Sequence, residues 1–139
     1  MINRTSRICA LAVSLAMLSP GSAALADILA GSEWQPLQLD GRTVADADGL
    51  FVRFGAEGRV AGSGGCNRFS GSYTIAEGQL FIAPLGTTRM ACPDTVMELE
   101  RIFLQVLAQA RSFSRERTRL VLGDAQGNLR ARLRQTDWD

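Results

Sequence analysis

One segment of the sequence, and only one, has the periodicity of an amphipathic helix. Apolar residues recur at helical spacing from Val96 to Ala110, and charged or amide residues fill the opposite face. Thr95 and Glu98 have the spacing of a capping box, and Pro93 prevents the helix from extending backward. A helix in so small a chain must bury its apolar face, so we expect it to pack on a sheet rather than to form a groove for a partner.

Short strands separated by glycine turns account for most of the remaining sequence. Leu50, Val52 and Phe54 alternate before the turn at 55–58, which predicts a hairpin with 59–61. Residues 68–75 alternate in the same way, which is typical of a half-buried strand.

Four further segments complete the predicted sheet, and one of them, 80–82, follows a turn at 76–78. A strand at 33–39 contains Pro36, which favours an edge position. Residues 112–122 and 129–134 predict the last two strands. The fold class is therefore α+β: a single domain with a curled, barrel-like antiparallel sheet and one packed amphipathic helix.

The first 26 residues have the features of a secretory signal peptide. Arg4 and Arg7 precede the apolar run 8–18, and small residues follow at 24–26. The run is shorter than the roughly 20 apolar residues that a transmembrane helix needs. We expect cleavage after Ala26, which leaves one domain over 27–139 in the periplasm or outside the cell, without a transmembrane segment.

Cleavage also changes the cysteine count from three to two, because Cys9 lies in the signal segment. An even count in an oxidising compartment favours a Cys66–Cys92 disulfide over a metal site or a free nucleophile. The bond would fix the helix start against the strand corner that Gly62, Gly64 and Gly65 allow the backbone to form. We expect a permanent structural bond, with a reversible redox switch as the alternative.

Composition excludes several functional classes. The chain contains no histidine, which removes Ser-His-Asp and Cys-His catalysis and histidine-containing zinc sites. The mature domain has 13 arginines against 14 acidic residues, a balance that does not favour nucleic-acid binding. Six of the 14 carboxylates lie beside or near glycines in predicted turns, which explains these six without catalysis: Asp40, Asp46, Asp48, Glu57, Glu77 and Asp124. We expect a non-enzymatic monomer without cofactor or metal.

Arg130, Arg132 and Arg134 fall on one side of the last predicted strand. They are a candidate surface for an anionic ligand, because guanidinium groups suit phosphates and carboxylates. The alternative is a solvated face that discourages edge-to-edge aggregation, and we favour that alternative.

Two motifs at a specific separation carry a family resemblance. Gly65-Cys66-Asn67-Arg68-Phe69-Ser70-Gly71-Ser72-Tyr73 is followed by Thr87-Thr88-Arg89-Met90-Ala91-Cys92, with Trp34 and Leu37 upstream and Glu100 and Phe103 in the helix. Together they resemble the META domain family, which includes the heat-shock protein HslJ. The resemblance implies a single α+β domain found in bacterial envelope and stress-associated proteins. Many of those relatives are lipoproteins, whereas this chain has no cysteine at the predicted cleavage site.

The resemblance and the residues together indicate two functional classes. The first is a non-enzymatic exported envelope protein, associated with stress, that acts through contacts with an envelope protein or an anionic ligand. The second is a small secreted inhibitor or binding module directed at a hydrolase, for which a disulfide-braced β domain with a rigid loop is a suitable scaffold.

Overall fold

A computed structural model describes residues 14 and 27–136, so the predicted signal peptide and its cleavage site lie outside the described residues, apart from Ser14 and Asp27. Ten strands and one long helix follow in the order β1 Ser32–Leu39, β2 Arg42–Thr43, β3 Leu50–Phe54, β4 Arg59–Gly64, β5 Arg68–Ala76, β6 Gln79–Ile82, β7 Gly86–Thr87, α1 Asp94–Gln109, β8 Ser112–Glu116, β9 Arg119–Gly123 and β10 Leu129–Gln135. Between residues 27 and 136, no helix is long and apolar enough to cross a membrane.

All ten strands belong to one antiparallel sheet that is nearly closed. The order is β6-β5-β4-β3-β1-β10-β9-β8, with β2 added beside β1 and β7 beside β5. The two ends of this order meet where the Leu80 N–H donates to the Arg111 carbonyl at 2.7 Å. The predicted curled sheet with one packed helix, and so the α+β fold class, is confirmed.

The core lies between the inner face of the sheet and α1. Its largest fully buried side chains include Trp34, Phe54 and Phe103. Phe103 on the helix meets Phe69 on β5 edge to face, with ring centroids 5.8 Å apart. The apolar helix face is therefore used for packing on the sheet, as its periodicity predicts.

The edge position predicted for the proline-containing strand is wrong. β1 lies in the middle of the sheet, between β3 and β10. Pro36 is tolerated there because β3 pairs only with residues 32–34 of β1 and β2 only with residues 38–39. On that side of β1, Pro36 has no strand partner that would need its missing N–H. On the β10 side, the register shifts just after Pro36, so a bulge accommodates the ring.

The single strand predicted over 112–122 is a hairpin instead. β8 and β9 pair with each other, and the chain reverses at Arg117 and Thr118. Arg117 adopts φ 53°, a left-handed conformation that tight hairpin turns require and that glycine, asparagine or aspartate usually supplies. None of those residues occurs between 112 and 122, so the turn has no sequence signal.

The predicted capping box at the helix start is also wrong. The helix begins at Asp94 with Pro93 as its N-cap, and no side chain caps it. Thr95 therefore lies within the first turn. The Glu98 carboxylate is held by Arg101, at 2.8 Å, instead of reaching back to the helix start.

Candidate functional site

Glu100 is a buried carboxyl group on the face of α1 that packs on the sheet. Its side chain is 4 % exposed. One oxygen accepts from the peptide N–H groups of Asn67 and Cys66, at 2.6 and 3.1 Å, and the other accepts from the Asn67 side-chain amide at 2.7 Å. Three N–H donors thus compensate the cost of burying the group and tie the helix to the corner between β4 and β5.

Glycine at position 64 gives this carboxyl group its space. A Cβ on Gly64 would lie 2.4 Å from the Cγ of Glu100, well inside van der Waals contact. The next residue, Gly65, adopts φ 101° and turns the chain toward Cys66. Of the three glycines assigned to the corner, only Gly65 has a positive φ. Gly62 lies within β4, where an added Cβ would clash with the Phe51 carbonyl oxygen, so it allows close approach of two strands.

Asn67 transmits this anchoring to the loop that follows β7. Its Oδ1 accepts from the Met90 N–H at 2.6 Å and from the Thr88 hydroxyl at 3.0 Å. Its side-chain amide donates to the Met90 carbonyl at 3.3 Å as well as to Glu100. One buried amide therefore binds both the N–H and the C=O of Met90, as a neighbouring strand would do.

Covalent and backbone contacts fix the two ends of this segment, residues 87–92, which we call the 87–92 loop. The Thr88 N–H donates to the Arg68 carbonyl at 3.0 Å, and the Thr88 hydroxyl accepts from the Arg68 N–H at 3.1 Å. At the other end, Cys92 forms a disulfide with Cys66, with an S–S distance of 2.08 Å. The 87–92 loop is therefore restrained at Thr88, Met90 and Cys92.

The outer side of the 87–92 loop is open to solvent. Met90 is 62 % exposed, and Arg89 is also exposed. Within residues 27–136, the Arg89 guanidinium makes no hydrogen bond or ion pair. A chain segment that is held from inside and bare outside is suited to contact another molecule without losing further conformational entropy.

Concave surface surrounds the loop on both sides. A depression of about 530 Å³ runs beside residues 87–92 and reaches Asp94, Met97 and Glu100. A second, of about 490 Å³, lies between Thr87, Thr88 and the outer faces of β3, β4 and β5. A third, of about 460 Å³, separates Leu85 and Thr87 from Leu104 on α1.

The candidate anion-binding arginines lie elsewhere, on β10, and two of them are engaged. Arg130 forms ion pairs with Asp40 at 2.6 Å and with Asp124 at 3.8 Å, and these carboxylates raise its pKa. Arg134 contacts Asp46 at 3.3 Å and the Gln35 side chain at 2.7 Å. Arg132 is exposed. This arrangement fits the solvated face better than an anion site.

Sequence reasoning singled out Cys66 and Cys92 and missed the role of Glu100. The signal was present, because Glu100 lies four residues after Val96 and three before Phe103, on the apolar stripe itself. A carboxylate at such a position indicates either a hydrogen-bonded partner or a functional site. Among the residues described, no group of three or more Cys, Asp and Glu side chains is placed to hold a metal ion.

Fold and site together define a small α+β domain: a nearly closed antiparallel sheet, one helix, and a Gly-Cys-Asn corner linked by a disulfide to the helix start. A family profile described as META domain matches residues 27–137. The chain belongs to the META domain family, and the predicted resemblance is confirmed.

Solved structures share this fold. An NMR structure of a protein from Burkholderia xenovorans is 23 % identical with a TM-score of 0.63, and the match covers 97 % of this chain and 100 % of that one. A second NMR structure is 25 % identical over 74 % of this chain and 87 % of that one, with a TM-score of 0.59. A crystal structure of a DUF4847 family protein from Bacteroides vulgatus, 14 % identical, covers 81 % of this chain and 97 % of that one, with a TM-score of 0.59. No curated protein matches the chain.

Proposed function

We propose that this chain is an exported, non-catalytic envelope protein that binds a partner protein through the 87–92 loop. One observation carries the proposal: Asn67 binds both peptide groups of Met90 from inside, while Arg89 and Met90 face solvent. Four hydrogen bonds connect Asn67 and the Arg68 N–H to Thr88 and Met90 of this loop, and three more hold Asn67 and Cys66 to Glu100. Preorganisation of this kind reduces the entropic cost of association.

Two features support export. The first 26 residues have the sequence of a signal peptide, and the two cysteines that lie outside this segment form a disulfide. Disulfides persist in the periplasm and outside the cell but are rare in the cytosol. The association with stress is supported by family resemblance, since the META domain family includes a heat-shock protein.

Loop-dependent capture from the periplasm tests the proposal. The tagged full-length protein, exported by its own signal segment and crosslinked in the periplasm, should retain partner protein. Replacing Arg89 and Met90 by alanine should abolish retention, because these exposed side chains supply the contact. Arg132→Ala is the matched control, an exposed arginine on β10 whose loss should change nothing. Equal retention by all three proteins would contradict the proposal.

The stress association has a separate test. A strain that lacks this protein should survive heat or oxidative challenge of the envelope less well than its parent. Complementation with the wild-type chain should restore survival, and complementation with the Arg89→Ala, Met90→Ala double variant should not. Equal survival of all strains would remove the stress role while leaving partner binding in place.

Inhibition of a hydrolase is the second candidate function, and the same hydrogen bonds between Asn67 and the 87–92 loop favour it. Protease inhibitors are among the most preorganised binding proteins, and their interface backbone moves little on binding. A diffuse set of captured proteins would favour the general stress role, whereas one stoichiometric hydrolase would favour inhibition.

A further inference from the structure

We propose that the 87–92 loop inhibits serine endopeptidases of trypsin-like specificity by entering their active site as a substrate would, with the Arg89 side chain in the acidic specificity pocket. The inference rests on the proposed function, of which it names the partner class. Its basis is the pattern of free and bound backbone groups along the loop.

An extended peptide bound to a serine endopeptidase lies as an added antiparallel strand against the enzyme. The residue whose side chain fills the specificity pocket, and the residue two before it, turn their peptide groups toward the enzyme. The carbonyl of the pocket residue must also reach the oxyanion hole. An inhibitor of this kind therefore leaves alternate peptide groups free and holds the intervening ones through its own body.

β7 and the residues after it show this alternation. Thr87 pairs with Phe69, and the next hydrogen bond runs from the Thr88 N–H to the Arg68 carbonyl. That pattern marks Thr87–Phe69 as a non-hydrogen-bonded pair, so the N–H and C=O of Thr87 point away from β5. Since β7 pairs only with β5 among the described strands, these groups lie on a free edge.

Among the described residues, the N–H and C=O of Arg89 are free, like those of Thr87, whereas the N–H and C=O of Met90 are hydrogen-bonded. Within residues 27–136, neither the N–H nor the C=O of Arg89 is hydrogen-bonded. Both peptide groups of Met90 are bound to Asn67, so the Met90 carbonyl is not available to an oxyanion hole. Despite its exposure, Met90 is therefore the residue after the reactive carbonyl, and Arg89 is the residue that provides it.

The position of Asn67 explains why such a loop would inhibit rather than be consumed. Attack of the enzyme's serine oxygen on the Arg89 carbonyl carbon forms an ester and breaks the bond to the Met90 nitrogen, which receives the serine proton through the enzyme's histidine. In the intact loop the Met90 nitrogen lies 2.6 Å from Asn67 Oδ1. The amine formed by cleavage remains beside this oxygen, and Cys92 remains tethered by its disulfide. Held in place, the amine attacks the ester and restores the original bond before water can do so.

The side chain at position 89 selects the enzyme class. Trypsin-like enzymes carry a carboxylate at the bottom of the specificity pocket, whereas chymotrypsin-like enzymes have an apolar slot. An arginine whose guanidinium has no partner among the described residues is free to pair with that carboxylate.

Inhibition of trypsin is the direct test, with hydrolysis of a small chromogenic substrate as the readout. The purified protein should inhibit competitively at a stoichiometry of one to one, and inhibit chymotrypsin far less. Arg89→Ala should weaken inhibition of trypsin at least about 100-fold, the loss typical of a central hot-spot side chain. Arg89→Leu should transfer the preference to chymotrypsin. Arg132→Ala, on β10, should leave both unchanged.

Loss of the hydrogen bonds between Asn67 and the 87–92 loop should convert the inhibitor into a substrate. Asn67→Ala should be cleaved by trypsin at the Arg89–Met90 bond, which N-terminal sequencing detects as a new chain beginning at Met90. Thr88→Val removes both hydrogen bonds of the Thr88 hydroxyl, the one to Asn67 Oδ1 and the one from the Arg68 N–H, at little cost in shape, and it should be cleaved faster than wild type but slower than Asn67→Ala. This surface variant serves if Asn67→Ala fails to fold.

Two results would overturn the inference. One is the absence of inhibition by folded protein at about 10 µM, far above the nanomolar range of such complexes. The other is rapid cleavage of the wild-type Arg89–Met90 bond. If either occurs while capture of a periplasmic partner still depends on Arg89 and Met90, the partner is not a trypsin-like protease and the proposed function stands.

Discussion

Glu100 is a residue whose removal should affect the whole domain, because its oxygens accept three N–H groups at the loop corner. Glu100→Ala leaves the peptide N–H groups of Cys66 and Asn67 and the Asn67 amide without this partner. Unsatisfied buried donors cost about 1–3 kcal/mol each, so we expect the free energy of unfolding to fall by about 3 kcal/mol or more. Urea denaturation followed by circular dichroism measures the change.

Glu98 provides the matched control two residues earlier on α1. It is exposed and pairs with Arg101, an exposed partner on the same helix. Glu98→Ala should leave the urea midpoint essentially unchanged, because exposed pairs contribute little. Equal effects of the two substitutions would show that the Glu100 hydrogen bonds do not stabilise the corner.

The pKa of the Tyr73 hydroxyl predicts how the stability of the fold responds to alkaline pH. The pKa of Tyr73 is raised above its ordinary value of 10.0. Burial is the larger cause, and the hydrogen bond from the Tyr73 hydroxyl to Asp27 Oδ1 at 2.8 Å is the second. Above pH 10 the native state thus retains a proton that the unfolded chain releases, so stability falls as pH rises through that range. Below pH 10 this group contributes no pH dependence.

Tyrosinate absorbance tests this directly, because Tyr73 is the only tyrosine in the chain. Ionisation should appear only together with loss of the near-ultraviolet circular dichroism of the folded protein. Tyr73→Phe should flatten the alkaline fall in stability. A native tyrosine that titrates near pH 10 would contradict the prediction.

Elements with strong local periodicity were predictable from the sequence, whereas elements defined by distant partners were not. The helix follows from apolar spacing between 96 and 110, and the hairpin of β3 and β4 from alternation around 55–58. The turn at Arg117 was missed because it has no turn residue, and its strained φ is maintained by the pairing of β8 with β9. Likewise, the central place of β1 depends on β10, about 100 residues away, which no local pattern reveals.

The contact between α1 and β4 predicts a sharp difference between two glycines. A Cβ at Gly64 would meet the Glu100 side chain at 2.4 Å, so Gly64→Ala must displace the helix or the carboxyl group. Overpacking of this kind costs about 1–3 kcal/mol. At Gly86 in β7, the nearest atom to an added Cβ is 3.8 Å away, so Gly86→Ala is the control.

Thermal unfolding of the two variants decides the matter. Gly64→Ala should melt well below wild type, and Gly86→Ala close to it. Two equally stable variants would mean that α1 moves away from β4 without cost, and that the close packing of Glu100 is not required.

At the scale of the whole molecule, the candidate site joins segments that are far apart in sequence. Cys66 and Asn67 come from the β4–β5 corner, Thr88 to Cys92 from the loop before the helix, and Glu100 from the helix itself. The cysteine pair was predictable from the cysteine count and the predicted export, because those constrain pairing without knowledge of the fold. The hydrogen bonds between Glu100 and Asn67 were not predictable, since their geometry exists only once the sheet has curled and α1 has packed on it.

The Cys66–Cys92 disulfide should therefore stabilise both the fold and the 87–92 loop. Its sequence separation of 26 residues corresponds to about 3.5 kcal/mol in the chain-entropy model. Small domains have total stabilities of about 5–15 kcal/mol, so reduction should lower the urea midpoint substantially, and Cys66→Ser with Cys92→Ser should reproduce the effect. Thiol titration distinguishes a permanent bond from a redox switch: a permanent bond gives no free thiol in natively purified protein, before or after denaturation. Free thiols in that protein, with a midpoint insensitive to reductant, would show that hydrogen bonds alone hold the loop to the helix start.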